Sequence, residues 1–467
     1  FIRGVWSFMR ISYGLRSTPM APQYIPLLGH TVALAKSVGR EPSAWDLFSE
    51  WARASAPQPV RVQIFKNQCV AIADPDMMKR VLQTNVHKYK KDVSFTYEPF
   101  LDILGSGLVT SEGESWKRQR LMVSAAFRIE ILDDIVDIST RAADRLSQKL
   151  AKLRGTGESI DLAEEFRHVT LQVIGEALLS LTPAQADEVF PHLYLPIMEE
   201  ANKRSLSPWR AYLPLPSWFA HRVRVRKLNK YIIGMIRQRW EDRQAGKTRP
   251  GRKDIMDRCM DGVEAKDWGA AAEQQLCYEF KTFVLAGHET SAAMLTWTLL
   301  ELTKQPQALA RVHQEAERVF GAIDDPKACS LSSLPEREAL DTLSYSVASL
   351  KESLRLYSVV PVVTRVARED DTLGGTHVPA GTTVLLSIQG IHHREDLWPK
   401  PHTFRPERFV PEDEGGDPPF DPFAFLPFIQ GPRNCLGQHL ALIEARIILC
   451  LLVKRFRFTS LNPDVKR

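Results

Sequence analysis

Cys435 lies in the run Phe428-Ile429-Gln430-Gly431-Pro432-Arg433-Asn434-Cys435-Leu436-Gly437, where Gly431 and Pro432 enforce a tight turn. Arg433 sets a positive charge two residues from the sulfur. The apolar helical pattern from about Leu436 to Val453 aims its positive dipole end at the same atom. These features favour thiolate over thiol, so the loop is expected to hold a metal through sulfur. Cys69, Cys259, Cys277, Cys329 and Cys450 show neither paired spacing nor a zinc-like cluster, which implies a reducing, cytosol-facing environment. Two further pairs have useful spacing. Trp116 and Arg120 are one helical turn apart and share a face, bringing an indole N–H and a guanidinium together as anion donors, while Lys117 and Arg118 face elsewhere. Glu352 and Arg355, three apart, can pair on a helix.

The elements that carry these residues are legible in outline. Arg61 to Phe65 and Cys69 to Ile72 predict a hairpin around a Lys66-Asn67-Gln68 turn, and Asp74-Pro75 starts a helix. Apolar residues recur at three and four from Trp116 to Leu150 and from Ile160 to Leu181, predicting two amphipathic helices. Pro183 to Phe219 is interrupted by prolines at 191, 196, 208, 214 and 216. Its Leu213, Leu215, Trp218 and Phe219 are expected either to meet a membrane or entry channel or to pack under a loop. Ala270 to Lys304 predicts one helix about 50 Å long. Phe456-Arg457-Phe458 reads as a strand.

The chain has 467 residues, 44% apolar and 25% charged, with 61 basic against 56 acidic residues and a formal charge of +5. Length alone favours two or three domains. The small basic excess does not point to nucleic acid, and runs such as Arg222 to Lys227 read as solvated helix faces. No run of about twenty apolar residues occurs, so no membrane-crossing helix is expected. The first fifteen residues mix Trp6, Met9, Ile11 and Tyr13 with Arg3 and Arg10, a pattern that can lie in a membrane interface.

Five motifs stand in series: Trp116-Lys117-Arg118-Gln119-Arg120, Ala286-Gly287-His288-Glu289-Thr290, Glu352-Ser353-Leu354-Arg355, Pro406-Glu407-Arg408-Phe409 and the cysteine loop. In order and separation they resemble the cytochrome P450 family of haem-thiolate monooxygenases, over essentially the whole chain. The resemblance implies a mainly α fold with a smaller β-rich lobe, haem lying between the long central helix and the helix after the cysteine loop. It also implies one catalytic domain over 31–467 behind a membrane-proximal, proline-rich segment over 1–30. An anchor ahead of Phe1 and a pocket-closing hairpin beyond Arg467 are expected on the same ground.

By that resemblance Cys435 ligates the iron of a non-covalent haem b. Phe428, Gly437, Ala286 and Gly287 surround the haem, and Trp116, Arg120, Arg365 and Arg433 bind its propionates, with His392 or His393 as weaker candidates. Glu289 and Thr290 deliver protons to dioxygen. Glu352, Arg355 and Arg408 form a buried network that holds the loop. Residues 87–108 resemble a substrate-contacting segment. Two branches are nearest. Gly107 to Gly113 and Ala125-Ala126-Phe127 resemble fatty-acid omega-hydroxylases, although Ala286 stands where that branch often carries a haem-linked glutamate. Leu295-Thr296-Trp297 and Asp371 to Gly375 resemble carotenoid hydroxylases. The implied reaction inserts oxygen from dioxygen into a fatty acid, terpenoid, sterol or carotenoid, with NADPH electrons arriving through a cytochrome P450 reductase or ferredoxin. The implied location is the cytosolic face of the endoplasmic reticulum or a plastid membrane. A lipid-hydroperoxide isomerase or dehydratase and a haem sensor are the competing readings.

Overall fold

Val60–Ile64 (β1) and Asn67–Ile72 (β2) pair antiparallel across a two-residue turn at Phe65-Lys66, tighter than the sequence suggests because Asn67 and Gln68 already belong to the strand. The computed structural model describes residues 2–37, 39–40, 42–127, 129–247, 253–321 and 337–462. It divides the chain into two compact units, 1–98 with 352–435, and 99–351 with 436–467.

The first unit holds the sheet. Tyr89–Lys91 (β3), Val362–Ala367 (β4), Asp371–Leu373 (β5), Thr376–Val378 (β6) and Thr383–Ser387 (β7) complete it, in the order β1-β2-β7-β4-β3 with β5-β6 as a separate hairpin. β7 is central and buried throughout, parallel to β2 and antiparallel to β4, which is why its Thr-Val-Leu-Leu-Ser run lacks polar alternation. Val62, Val70, Ile72, Leu386 and the helix residues Trp51 and Met78 form the core beneath it. The 19–30 segment is stitched to β1: Arg61 N–H donates to the Pro19 carbonyl at 2.7 Å, and buried His30 accepts from Gln63 N–H at 3.1 Å.

The second unit is helical. The pattern read as one helix from Trp116 to Leu150 is two, Gly113–Ala126 and Ile129–Leu153, followed by Leu162–Leu179, whose N-cap Asp161 accepts from Ala163 and Glu164 N–H. The proline-interrupted region is more helical than its composition suggests. Pro183, Pro208 and Pro216 each occupy a first turn, where a missing N–H costs nothing, while Pro191 and Pro196 sit inside the continuous helical run 183–206, at a π-helical turn over Phe190–Tyr194 and just after it. Within it Leu213 and Phe219 are exposed, as are Trp209 and Tyr212, so these side chains do not pack under a loop. Ala270–Lys304 is a single helix of 35 residues, and Gln438–Arg455 packs along it. Phe456 is extended, but among the described residues Phe456-Arg457-Phe458 pairs with no strand. Among the described residues no helix is long and apolar enough to cross a membrane.

Candidate active site

The cysteine loop belongs to the first unit. Cys435 N–H donates to the Phe428 carbonyl at 2.8 Å and Asn434 N–H to Gly431 at 3.1 Å, closing the turn. Gly431 has φ +81, and a Cβ there would stand 2.1 Å from the Leu82 carbonyl oxygen, so only glycine fits. Ile429 sits at φ +58, a strained conformation for a β-branched residue that packing elsewhere must hold. Beyond its two chain neighbours, no atom of the described residues lies within 4 Å of a Cβ placed on Gly437, so packing does not by itself demand that glycine.

Cys435 is the one exposed cysteine among the described residues. Burial raises the thiol pKa of Cys69 and Cys259, and pushes Cys277 up to about 11 and Cys450 up to about 12, leaving none of them a thiolate at neutral pH. Cys329 lies outside the described residues. No group of three or more His, Cys, Asp or Glu side chains among the described residues can hold a metal. A metal bound by Cys435 would therefore need its remaining donors from a non-protein group. That fits a macrocycle such as haem.

Beneath the loop, Glu352 and Arg355 are fully buried and doubly hydrogen-bonded, both at 2.8 Å. Arg408 donates to the same carboxylate at 3.3 Å and to the Pro399 and Lys400 carbonyls. Arg355 also donates to the His392 carbonyl at 2.8 Å. His392 in turn bonds Ser358 Oγ through Nδ1 at 2.8 Å and accepts Leu426 N–H at Nε2 at 2.9 Å, two residues before Phe428. Both ring nitrogens are therefore engaged, and burial holds the imidazole well below its usual pKa. His392 is a neutral strut of the loop, which corrects its reading as a propionate partner. His393 is likewise turned to the Leu356 carbonyl at 2.9 Å.

Arg365, buried on β4, and Arg433 both act electrostatically on half-buried Tyr97. Tyr97 was not singled out in the sequence, where nothing distinguishes it from its aromatic neighbours.

In the second unit Trp116 and Arg120 are half-buried on one face of Gly113–Ala126, while Lys117 pairs with Glu114 in solvent at 2.6 Å. The long helix is continuous through Ala286 to Thr290. Ala286 is exposed, and a Cβ on Gly287 would stand 2.8 Å from Ile174 Cδ1, so this glycine allows close approach of Leu162–Leu179. Thr290 Oγ1 donates to the Ala286 carbonyl at 2.6 Å, and Glu289 accepts from Arg167 Nε at 3.2 Å. Acid and alcohol are adjacent in sequence but bonded to different partners.

Two buried acids carried no signal in the sequence. Glu444 is pushed up to about 8 by burial, with Ser291 as its hydrogen-bond donor at 3.2 Å. Glu279 is pushed up to about 7 by burial and accepts Leu108 N–H at 3.0 Å, pinning the 105–111 loop to the long helix. A folded pKa above the unfolded one gives stability that is complete below the unfolded value of 4.5 and lost as pH rises through about 7. Glu279→Gln should therefore flatten that pH slope and raise stability at pH ~8, by up to about 3 kcal/mol. Melting temperatures from pH ~5 to ~8 test it; an unchanged slope would show the acid does not titrate there.

Comparison with known proteins agrees with this architecture. The family model described as Cytochrome P450 matches residues 19–466. "Cytochrome P450 4c21" of Blattella germanica is 27% identical over 96% of this chain and 89% of its own. "Protein LUTEIN DEFICIENT 5, chloroplastic" of Arabidopsis thaliana is 28% identical over 83% of this chain and 65% of its own. The crystal structure of the cytochrome P450DA heme domain superposes with a TM-score of 0.77 at 22% identity, covering 93% of this chain and 90% of the other, and so shares the fold. With a family match that spans nearly all of the sequence and a fold to agree, the chain belongs to the cytochrome P450 family and is a haem monooxygenase.

Proposed function

We propose that this enzyme inserts one oxygen atom into a lipophilic substrate, a fatty acid, terpenoid, sterol or carotenoid, using NADPH electrons delivered by a cytochrome P450 reductase or ferredoxin. The exposed sulfur of Cys435, presented by a loop strained at Ile429, is the observation that carries the reading. Cys435 would ligate a non-covalent haem b, and bound haem supplies the redox chemistry that activates dioxygen, with thiolate sulfur pushing electron density to the iron. Trp116, Arg120, Arg365 and Arg433 would hold the propionates, since a buried carboxylate needs cationic or N–H partners. Phe428, Gly437, Ala286 and Gly287 would also contact the haem. Thr290 would exchange its bond to the Ala286 carbonyl for one to the reacting oxygen, and Glu289, half exposed, would bring the proton in from water.

A membrane surface fits two exposed apolar groups. Trp6, Met9 and Tyr13 lie along the helix Ile2–Gly14, and Trp209, Tyr212, Leu213 and Phe219 cluster in the other unit. One relative is named as chloroplastic, which supports the plastid alternative for this chain. Retention of Glu289 and Thr290 favours oxygenation over isomerisation of a lipid hydroperoxide or simple sensing.

The coupling ratio of Thr290→Ala tests this. Haem and substrate should bind normally and NADPH consumption persist, while product per NADPH falls by about tenfold or more, within the range a positioned proton donor supplies, and peroxide accumulates. An unchanged ratio would remove Thr290 from proton delivery. Product formed from lipid hydroperoxide without reductase would transfer the assignment to an isomerase.

A further inference from the structure

His288 is fully buried one residue before Glu289, and neither the motif nor the mechanism above uses its side chain. Its Nδ1 lies 2.9 Å from the Val284 carbonyl. A carbonyl only accepts, so Nδ1 carries the hydrogen and Nε2 carries a lone pair. Burial lowers the pKa of the imidazole, which keeps it neutral. Among the described residues Nε2 has no hydrogen-bond partner, a costly condition for a buried polar atom. Its nearest charged neighbour is Glu289 Oε1, at 3.9 Å.

Ring and backbone of His288 are each held by a neighbour. Tyr194 packs edge-on at 5.8 Å between ring centroids, and Thr170 Oγ1 donates to the His288 carbonyl at 3.0 Å. The charges acting on His288 are Glu289 and Arg167; Arg167 bonds both Glu289, at 3.2 Å, and Glu164, at 2.5 Å.

We propose that His288 is a positioning residue for Glu289, its Nε2 lone pair accepting the hydrogen of the Glu289 carboxyl when that group is protonated, while Arg167 holds the same carboxyl when it is ionised. An ionised carboxylate cannot donate to a lone pair, so in that state its oxygens turn to the guanidinium. A carboxylic acid can donate, and Nε2 is the nearby acceptor left without a partner. Protonation thus exchanges Glu289 between two seats on one helix. To give up its proton the acid leaves His288 and turns its O–H toward Thr290; the carboxylate so formed returns to Arg167 and is reprotonated from solvent, to which it is half exposed. This rests on the reading of Glu289 as proton donor.

Two readouts on the haem-loaded enzyme test it, and one of them is independent of turnover. The first is the infrared band of the protonated Glu289 carboxyl, identified by its loss in Glu289→Gln. In His288→Leu, which has no acceptor, the band should move to the frequency of a free acid. In His288→Gln, whose amide oxygen can accept, it should stay close to native. The second is the product-to-NADPH ratio, expected to fall about fivefold in His288→Leu and to recover in His288→Gln, with a larger solvent isotope effect only in the former. A band unmoved in His288→Leu, or equal loss of coupling in both variants, would overturn the proposal, since a purely packing role predicts the latter. If Glu289→Gln itself leaves coupling intact, the proton-donor reading fails, and a band that still moves in His288→Leu shows the hydrogen bond to be real but without that use.

Discussion

Cys435→Ser should eliminate the red-shifted Soret band of the reduced, carbon-monoxide-treated enzyme, and monooxygenase turnover with it. A serine hydroxyl is not ionised at neutral pH and cannot donate electron density as a thiolate does. No other described cysteine can substitute, because each is buried with its thiol pKa raised. Cys450→Ser is the informative control. Its sulfur is fully enclosed and bonds Ser346 Oγ at 3.4 Å, so a serine there keeps the bond and should leave the spectrum intact, at a cost in stability of about 1 kcal/mol or less. A Cys435→Ser enzyme that retained the band would remove this residue as the ligand. Loss of the band in Cys450→Ser at unchanged fold would move the assignment to the terminal helix.

Why Cys435 could be found in the sequence, while several of its supports could not, follows from where each signal resides. A turn glycine, a proline and a following apolar helix are local, and the structure forms them from local preferences. The same holds for the Ala270–Lys304 helix, whose bounds match the periodic pattern. The break between Ala126 and Ile129 leaves the apolar spacing nearly intact on both sides, so periodicity runs straight through it. Prolines from 183 to 216 look like helix breakers, yet Pro183, Pro208 and Pro216 start helices and Pro191 and Pro196 are absorbed around a π-helical turn. Phe456 to Phe458 has strand composition, but a strand needs a partner edge and none among the described residues pairs with it. His392, Tyr97, Glu279 and Glu444 owe their roles to burial and to partners dozens of residues away. Such properties are tertiary. The identity of the side chain alone does not separate His392, a loop strut, from a ligand to an anion.

Glu352→Ala should be the most destabilising single change in the first unit. One carboxylate there serves two guanidiniums: Arg355 through both arms at 2.8 Å and Arg408 at 3.3 Å, with Arg405 N–H as a fourth donor at 3.0 Å. Side-chain exposure is 0% for Glu352, 0% for Arg355 and 2% for Arg408, so water cannot replace the lost partner. Removing one member of such a set leaves buried charge uncompensated, at a cost of about 3–5 kcal/mol. The damage should also reach the ligand, because the Arg355 guanidinium fixes the His392 carbonyl and His392 Nε2 fixes Leu426 beside the cysteine loop. Haem occupancy should therefore fall along with melting temperature. If charge burial is the cause, Glu352→Leu combined with Arg355→Met should cost less than the two single changes summed, because each removes the charge the other leaves stranded. Arg408 still limits the recovery, so the double variant should not return to native stability. Strict additivity, or a Glu352→Ala enzyme within about 1 kcal/mol of native by denaturant unfolding, would show that the pair is not coupled and that the loop is held by packing instead.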